Sequence, residues 1–241
     1  MKISVIIPAF NEEGGLAASL RSIRAATAAF DEAGWTSELI VCDNNSTDRT
    51  AEVARAEGAT VVFEPVNQIS RARNTGAARA SGDWLLFVDA DSHPSRELCA
   101  DVLRAIESGR YAAGGSTVCF DRPDVAVAWL GSTWNVISRV MRWVAGSFIF
   151  CNAAIFREIG GFSQELYAAE EIDLSRRLKR AARRRGLGIA ILHRHPLLTS
   201  ARKARLYTTH EALRFMGRTI VSRGRTLRSA DECFSWYDGR R

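Results

Sequence analysis

Short apolar runs and longer amphipathic stretches alternate along residues 1–90 of the chain. The apolar runs are rich in β-branched residues and predict strands at 3–9, 38–42, 59–63 and 83–88. Apolar residues at helical spacing predict helices at 12–33, 46–57 and 70–80, the first two ending at Gly34 and Gly58. This alternation predicts an α/β fold with a mostly parallel, Rossmann-type central sheet that helices cover on both faces.

The second half of the chain has a mixed pattern. It predicts a helix from Pro94, a strand at 111–120, an amphipathic stretch at 125–144, a helix at 169–184, a strand at 187–192 and a helical region at 206–223. No linker, repeat or low-complexity segment divides the chain. We therefore expect one domain over residues 1–200, with halves at 1–92 and 93–200, and a basic helical C-terminal extension at 201–241.

Composition indicates a globular protein. Of the 241 residues, 46% are hydrophobic and 25% are charged. No run reaches the roughly 20 apolar residues that a membrane-spanning helix needs, and the N-terminal apolar run is too short for a signal peptide. The five cysteines are odd in number and form no CxxC pair, so we interpret them as free thiols of a reducing compartment. These features favour the cytoplasm.

The formal charge of +6 is unevenly distributed. Residues 174–241 hold 18 Lys and Arg against four Asp and Glu, a net charge of +14, which leaves −8 for residues 1–173. A basic C-terminal third suits substrate phosphates, an anionic membrane surface or nucleic acid, and a solvated charged face is the alternative. The acidic first part would repel a phosphate backbone, so we expect no nucleic-acid partner.

Two carboxylates one residue apart follow the predicted strand at 83–88. Because residues i and i+2 of an extended chain point the same way, Asp89 and Asp91 can present oxygens to one divalent cation. Ordinary turn chemistry is the alternative. Asn11 and Asp43 also follow predicted strands, and the carboxyl ends of parallel strands meet at one edge of a sheet. We therefore expect Asn11, Asp43 and Asp89 to line one crevice.

Four short segments stand in a fixed order along the chain. They are SVIIPAFNE at 4–12, VCDNNSTD at 41–48, VDAD at 88–91 and EEIDL at 170–174. Together they resemble the family 2 glycosyltransferases, which have the GT-A nucleotide-sugar-binding fold. The resemblance implies a metal-dependent enzyme that moves a sugar from a nucleotide-diphosphate sugar to an acceptor hydroxyl, with inversion. It assigns the donor to residues 1–92 and the acceptor and catalytic base to residues 93–200.

The resemblance also implies a set of donor-binding residues. They are Pro8, Ala9, Phe10, Asn11, Glu12, Asp43, Asn44, Arg71, Arg73, Asn74, Asp89, Ala90 and Asp91. Asp91 would bind Mn²⁺ or Mg²⁺ directly, while Asp89 would hold the ribose and the surroundings of the metal. The two arginines would offer planar forks to phosphate or ribose oxygens. The family often has an aspartate where this chain has Asn44, which leaves the nucleobase open.

The EEIDL segment carries the implied catalytic residues. By register, Glu171 takes the place of the family's catalytic aspartate and would accept the proton of the acceptor hydroxyl. Glutamate reaches one methylene further than aspartate, so Glu170 stays open as the base. Asp173 would orient Arg177, four residues on. Acidic residues are also favoured in a first helical turn by the helix dipole alone.

Two features of the second half leave alternatives open. His193 and His195 are a third metal ligand, a phosphate contact or, as we favour, surface histidines. Trp129, Trp134 and Trp143 stand near arginines, which is the composition of a helix at a lipid interface, of core packing or of an acceptor-site wall. A lipid-linked acceptor suits this region, and so does a soluble anionic one.

Two other functions compete with glycosyl transfer. A sugar-1-phosphate nucleotidyltransferase would need a glycine-rich basic loop after its first strand. Residues 8–15 are PAFNEEGG, which is acidic and has no cation, and this argues against it. A catalytically inactive sugar-nucleotide-binding protein is the other alternative. The sugar, the nucleobase, the acceptor and the oligomeric state are not determined by the sequence.

Overall fold

The structure is a computed structural model, and it describes residues 1–121, 125–144, 146–200, 225–229 and 233. The strands are β1 (Lys2–Ala9), β2 (Thr36–Asp43), β3 (Thr60–Phe63), β4 (Trp84–Val88), β5 (Ser92–His93), β6 (Tyr111–Phe120), β7 (Phe148–Asn152) and β8 (Gly188–Thr199). The helices are α1 (Leu16–Glu32), α2 (Thr50–Ala56), α3 (Ile69–Arg79), α4 (Arg96–Glu107), α5 (Val125–Met141), α6 (Ala153–Glu158) and α7 (Glu170–Arg183), and a 3-10 turn covers Arg225–Arg228. The predicted helix at 206–223 and most of the predicted extension at 201–241 lie outside the described residues.

The strands form one sheet in the order β3-β2-β1-β4-β7-β6-β8-β5. β3, β2, β1 and β4 pair in parallel, as the first half of the sequence predicts. β7 then runs antiparallel to both β4 and β6, β5 is antiparallel to β8, and β6 is parallel to β8. The α/β class is confirmed, and the parallel arrangement dominates only in the first half.

Side chains alternate between two apolar clusters, one on each face of the sheet. In β1, Ile3, Val5 and Ile7 face the cluster that contains α1 and α4, whereas Ile6 faces the cluster that contains α6 and α7. This is the two-residue period of a strand that is buried on both faces. Helices therefore cover both faces of the sheet, as predicted.

The structure differs from the prediction at the start of α1 and in two elements that were not predicted, β7 and α6. α1 begins at Leu16 instead of residue 12, because the carbonyl of Glu12 first closes a turn onto the N–H groups of Gly15 and Leu16. β7 and α6 were not predicted, since a short continuous apolar run does not separate strand from helix.

The last strand, β8, is longer than predicted. The sequence predicts its end at residue 192, before the polar run that precedes Pro196. In the structure the register jumps from the pair Ser116–Leu192 to the pair Val118–Leu197, so the polar run bulges out and the strand resumes. The extension matters because it brings Thr199 to the site. No described helix combines the length and the apolar character needed to cross a bilayer.

Candidate active site

Polar residues follow the carboxyl ends of three adjacent strands. Ala9 and Asp43 are register partners at the ends of β1 and β2, and Asp89 directly follows β4 on the other side of β1. The strand order therefore places Asn11, Asp43 and Asp89, the three positions predicted to meet, at one edge of the sheet. Among them only Asp89 lines the cavity that opens there.

Asn11 and Asp43 order the loop that follows β2. Asn11 has a φ of 51°, a left-handed conformation that asparagine tolerates. Its Oδ1 accepts a hydrogen bond from the N–H of Thr47 at 2.8 Å, and its own N–H donates to Ser46 Oγ at 3.0 Å. The Asp43 Oδ1 accepts from the N–H of Ser46 at 3.0 Å. The two residues therefore fix the loop next to the first strand.

A cavity of about 280 Å³ lies beside Asp89. Its charged wall consists of Arg73, Asp89, Asp91, Glu170 and Glu171. The rest of its lining is Ile69, Val118, Phe120, Trp134, Gly146, Ser147, Thr199 and Ser200. The cavity thus lies where five elements meet: strand β4, helices α3, α5 and α7, and the extended strand β8.

Arg73 is the centre of this wall and is fully buried. Its guanidinium donates to Glu170 Oε1 at 2.8 Å, to Asp89 Oδ1 at 2.9 Å and to the carbonyl of Gly146 at 2.8 Å. Its plane also lies over the Phe162 ring, with 5.2 Å from Cζ to the ring centroid. Arg73 therefore connects α3, the end of β4 and the start of α7, a geometry that the planar fork of arginine allows.

The carboxylates outnumber the guanidinium around the cavity. Burial raises the pKa of Glu170 to about 8, and the neighbouring Glu171 and Asp89 add to this rise, while Arg73 opposes it. Burial also raises the pKa of Glu171. For Arg73, burial acts to lower the pKa, but Asp89, Glu170 and Glu171 prevail and raise it. Once these carboxyl groups are ionised, the site holds more negative charge than one permanently charged arginine balances.

The two glutamates at the start of α7 differ in surroundings. Glu170 is buried and bonded to Arg73, whereas Glu171 is only partly buried. Both follow Ala169, whose φ of 60° is unusual for a residue with a Cβ and turns the chain into the helix. Asp173 points elsewhere: it pairs with Arg177, which also donates to the carbonyls of Ile159 and Gly161. The predicted i,i+4 pair is present, and it ties α7 to the preceding turn.

The family model described as glycosyl transferase family 2 matches residues 4–160 of the chain. This chain belongs to that family.

An uncharacterized glycosyltransferase of Haemophilus influenzae is 34% identical over 107 residues, which cover 44% of this chain and 34% of that protein. The low-salt glycan biosynthesis hexosyltransferase Agl6 of Haloferax volcanii is 34% identical over 107 residues, which cover 44% of this chain and 25% of that protein. The chain spans about a third of the length of the first curated relatives that it matches.

Solved structures show the same fold at low identity. The mannosyltransferase PcManGT from Pyrobaculum calidifontis, in complex with GDP-Man and Mn²⁺, superposes with a TM-score of 0.67 at 21% identity, covering 88% of this chain and 59% of that one. TarS of S. aureus in complex with UDP has a TM-score of 0.65 at 22% identity, covering 83% and 60%. At this identity the likeness establishes the GT-A fold alone.

Asp89 and Asp91 are the residues predicted to bind a metal ion. In the described part of the chain no group of three or more His, Cys, Asp or Glu could hold a metal ion. Two carboxylates still fit a divalent cation that takes its remaining ligands from water and diphosphate oxygens. The local charge also fits, because Arg73 faces Asp89, Glu170 and Glu171. A divalent cation would offset this surplus of negative charge.

Several residues predicted to bind the donor are held by other protein groups. Both sides of the Asn74 amide bond to the backbone of Phe162, at 2.9 Å each. The Asn44 oxygen accepts from the N–H of Gln68 at 3.3 Å, and Arg71 Nε donates to Gln68 Oε1 at 2.9 Å. These contacts order the protein around the site, and the donor-binding roles of Asn44, Arg71 and Asn74 stay predictions.

The remaining donor-side residues lie on or just after β1 and β4. Pro8 and Ala9 are buried in β1, Phe10 is partly buried, and Ala90 is buried between the two aspartates. Glu12 is buried, and its N–H donates to Thr50 Oγ1 at 2.8 Å. Their predicted contact with a nucleotide remains a prediction.

The two late histidines do not line the cavity. His195 Nδ1 lies 2.9 Å from Asp101 Oδ2 on α4, and His193 is exposed and lines a different cleft. This agrees with their interpretation as surface histidines.

The structure adds residues that the sequence did not suggest. Gln68 Nε2 donates to the carbonyls of Gln164 and Leu166 and so holds the loop before α7. No motif in the sequence marks that contact.

Proposed function

We propose that this chain transfers a glycosyl group from a nucleotide-diphosphate sugar to an acceptor hydroxyl, by single displacement with inversion and with a divalent cation. The observation that carries the proposal is that Asp89, Asp91 and Glu171 line the same cavity at the carboxyl ends of the strands. A pair of carboxylates suited to a divalent cation and a carboxylate base thus face one space. The structures of PcManGT with GDP-Man and Mn²⁺ and of TarS with UDP support this class of donor.

Each charged residue then has a distinct task. A Mn²⁺ or Mg²⁺ ion bound at Asp89 and Asp91 would supply positive charge to the departing diphosphate. Glu171 accepts the proton from the acceptor hydroxyl as its oxygen attacks the anomeric carbon. Arg73 orients Asp89 through their 2.9 Å bond and keeps Glu170 next to the base. We assign the base to Glu171 because Glu170 is occupied by Arg73.

The acceptor side is formed by the apolar wall. Phe120 and Trp134 line the same cavity as the charged residues, and such a surface restricts water around the attacking hydroxyl. A lipid-linked acceptor and a cytoplasmic location at the inner face of a membrane belong to the same proposal.

Thermal stabilisation by nucleotides tests the donor site. UDP, GDP, dTDP, ADP and CDP are each added with and without Mn²⁺, since binding to the folded state raises Tm with occupancy. We expect one nucleotide to raise Tm, to need Mn²⁺ and to lose its effect in Asp91→Ala. Asp31→Ala, an exposed aspartate at the end of α1, is the matched control. No shift with any nucleotide would contradict the donor-site assignment.

The competing functions give different results. A nucleotidyltransferase would bind a nucleoside triphosphate through the loop after β1, but there Glu13 pairs with Arg49 and the chain remains acidic. An inactive sugar-nucleotide-binding protein would show the nucleotide shift, and yet it would not hydrolyse or transfer the sugar of any donor. Donor turnover that disappears in Glu171→Gln excludes that alternative.

A further inference from the structure

Helix α5 is apolar on the face that points away from the protein. Trp129, Val136 and Val140 are 67%, 61% and 75% exposed, and Ile137 and Met141 are also exposed. The opposite face is packed, because Gly131 lies against Phe120 and Asn135 makes two 2.9 Å hydrogen bonds with the backbone of Val118 on β6. Large apolar side chains are thus exposed on the outer face although the inner face is already packed, and such a patch is typical of an interaction surface.

The exposed apolar side chains lie on one side of the helix and form a stripe that Ser132 and Thr133 interrupt after its first turn. Trp129, Val136 and Val140 stand at i, i+7 and i+11, which places them on one line along the helix. Ile137 and Met141 widen that line on one side. These five side chains are far fewer than the roughly 20–30 residues a side of a stable protein–protein interface.

A group of basic side chains, the basic rim, adjoins the C-terminal end of this stripe. It consists of Arg110, Arg139, Arg142, Lys179, Arg183 and Arg194. Four of them line a cleft of about 430 Å³ between α5 and β8, and Lys179 and Arg183 share a second cleft, of about 360 Å³, with Val140 and Met141. Among the described residues, none of the six forms a salt bridge with a carboxylate.

The positive charges of the rim repel one another. Burial lowers the pKa of Lys179, and Arg183, Arg142 and Arg176 lower it further. The carboxylate in the larger cleft, Asp101, is already bonded to Arg104 and His195. Positive charges that repel one another beside an apolar stripe are the arrangement of a surface that binds an anionic interface.

We propose that the outer face of α5 and the basic rim form a docking surface for a bilayer that contains anionic lipid. The apolar stripe enters the headgroup region, and the rim contacts lipid phosphates. A second copy of this chain is a poorer occupant, because five exposed apolar side chains are too few for a stable two-fold interface and would leave the charge of the basic rim without a partner.

Docking through α5 would place the catalytic cavity close to the bilayer. Trp134 lies on α5 and lines that cavity, whereas Trp129 and Val140 on the same helix point outward. An acceptor held in the membrane would then enter along the apolar wall. Only this consequence rests on the proposed function, since docking itself requires no glycosyl transfer.

Vesicle co-sedimentation of the full chain tests the proposal. We expect binding to phosphatidylcholine vesicles that contain phosphatidylglycerol, no binding to phosphatidylcholine alone, and weaker binding at high salt. Arg139→Gln with Arg183→Gln should weaken binding about 30-fold, from about 1 kcal/mol per charge. Val136→Ser with Val140→Ser should weaken it about tenfold or more, because the apolar contribution is lost.

Matched variants elsewhere on the surface provide the controls. The double variant Arg55→Gln with Arg79→Gln removes one exposed arginine from α2 and one from α3. The variant Phe63→Ser removes an exposed aromatic side chain from β3. These variants should bind vesicles like the original chain. Equal weakening in the control and α5 variants, or no vesicle binding at all, would overturn the proposal.

Two further outcomes identify another occupant of the stripe. If Val136→Ser with Val140→Ser lowers Tm substantially, the stripe is covered by this chain itself and the proposal is wrong. If the same variant abolishes a concentration-dependent dimer, a second copy covers the stripe, and the proposal is again wrong. The Mn²⁺-dependent nucleotide shift is measured on every variant. A variant that no longer binds vesicles but keeps the nucleotide-induced rise in Tm has lost membrane docking and not the donor site. The docking proposal and the proposed function can therefore fail independently.

Discussion

Removal of Arg73 is the sharpest test of the charge arrangement in the cavity. The side chain is fully buried and bonds to two carboxylates and one carbonyl. Arg73→Met keeps most of the volume but leaves Asp89, Glu170 and Glu171 without a counter-charge. Breaking a buried ion pair from one side costs about 3–5 kcal/mol. Asp89 is partly exposed and Glu170 can take up a proton, so we place the loss of unfolding free energy at about 3 kcal/mol, the low end of that range.

The pH dependence of this loss has a definite sign. The folded-state pKa of Glu170 is about 8, above its ordinary value of 4.5, so its stabilising contribution is complete below pH 4.5 and is lost as pH rises through about 8. Without Arg73 the pKa of Glu170 rises further. Above about pH 8 the original chain stops losing stability from this group, while the variant continues to lose it. The difference between them should therefore widen above that pH.

Urea unfolding followed by circular dichroism measures both effects. Arg96→Met is the control, because the Arg96–Glu32 pair is exposed on both sides and such pairs contribute about 0–1 kcal/mol. Above about pH 8, Arg73→Met with Glu170→Gln should recover part of the loss, since a carboxyl group that would otherwise ionise without a counter-charge is gone. A loss for Arg73→Met no larger than for Arg96→Met, or a difference that narrows above pH 8, would refute the reasoning.

Three further predictions concern the base and the sheet. Glu171→Gln should keep the Mn²⁺-dependent nucleotide shift and lower kcat by about 10²–10⁴-fold, the usual contribution of a general base. The acidic limb of the kcat/KM profile should lie above pH 4.5, because burial raises the pKa of Glu171 and the base must be ionised to act. Gly114→Ala should cost about 1–3 kcal/mol in urea unfolding, since its Cβ would lie 2.4 Å from Phe150 Cζ and 2.6 Å from the Ala190 carbonyl oxygen.

Each of these has a control. Glu170→Gln should lower kcat less than Glu171→Gln if the base is assigned correctly, and the reverse order would exchange the two roles. An acidic limb at or below pH 4.5 would contradict the raised pKa of Glu171. Gly14→Ala, whose Cβ would meet no atom within 4 Å, should leave the unfolding free energy unchanged. Equal effects of the two alanines would show that close packing at Gly114 is not the cause.

Local patterns in the sequence determined the first half of the fold and the residue types of the site. Strand periodicity predicted β1 to β4 within a few residues, because each is a β-branched run bounded by loop residues. The aspartates after β4 and the glutamates of EEIDL could be singled out because their chemistry lies within single short segments. The family resemblance followed from the order of those segments, and the match over residues 4–160 confirms it.

Only the tertiary structure decided how these residues act together. β7 enters the sheet between β4 and β6, and a bulge extends β8 to Thr199; both depend on pairing with strands distant in sequence. The same holds for Arg73, which the sequence suggested as a phosphate contact and which the fold places fully buried, bonded to Asp89, 16 residues away, and to Glu170, 97 residues away. Burial and charge balance are properties of side chains brought together by folding, so no local pattern contains them.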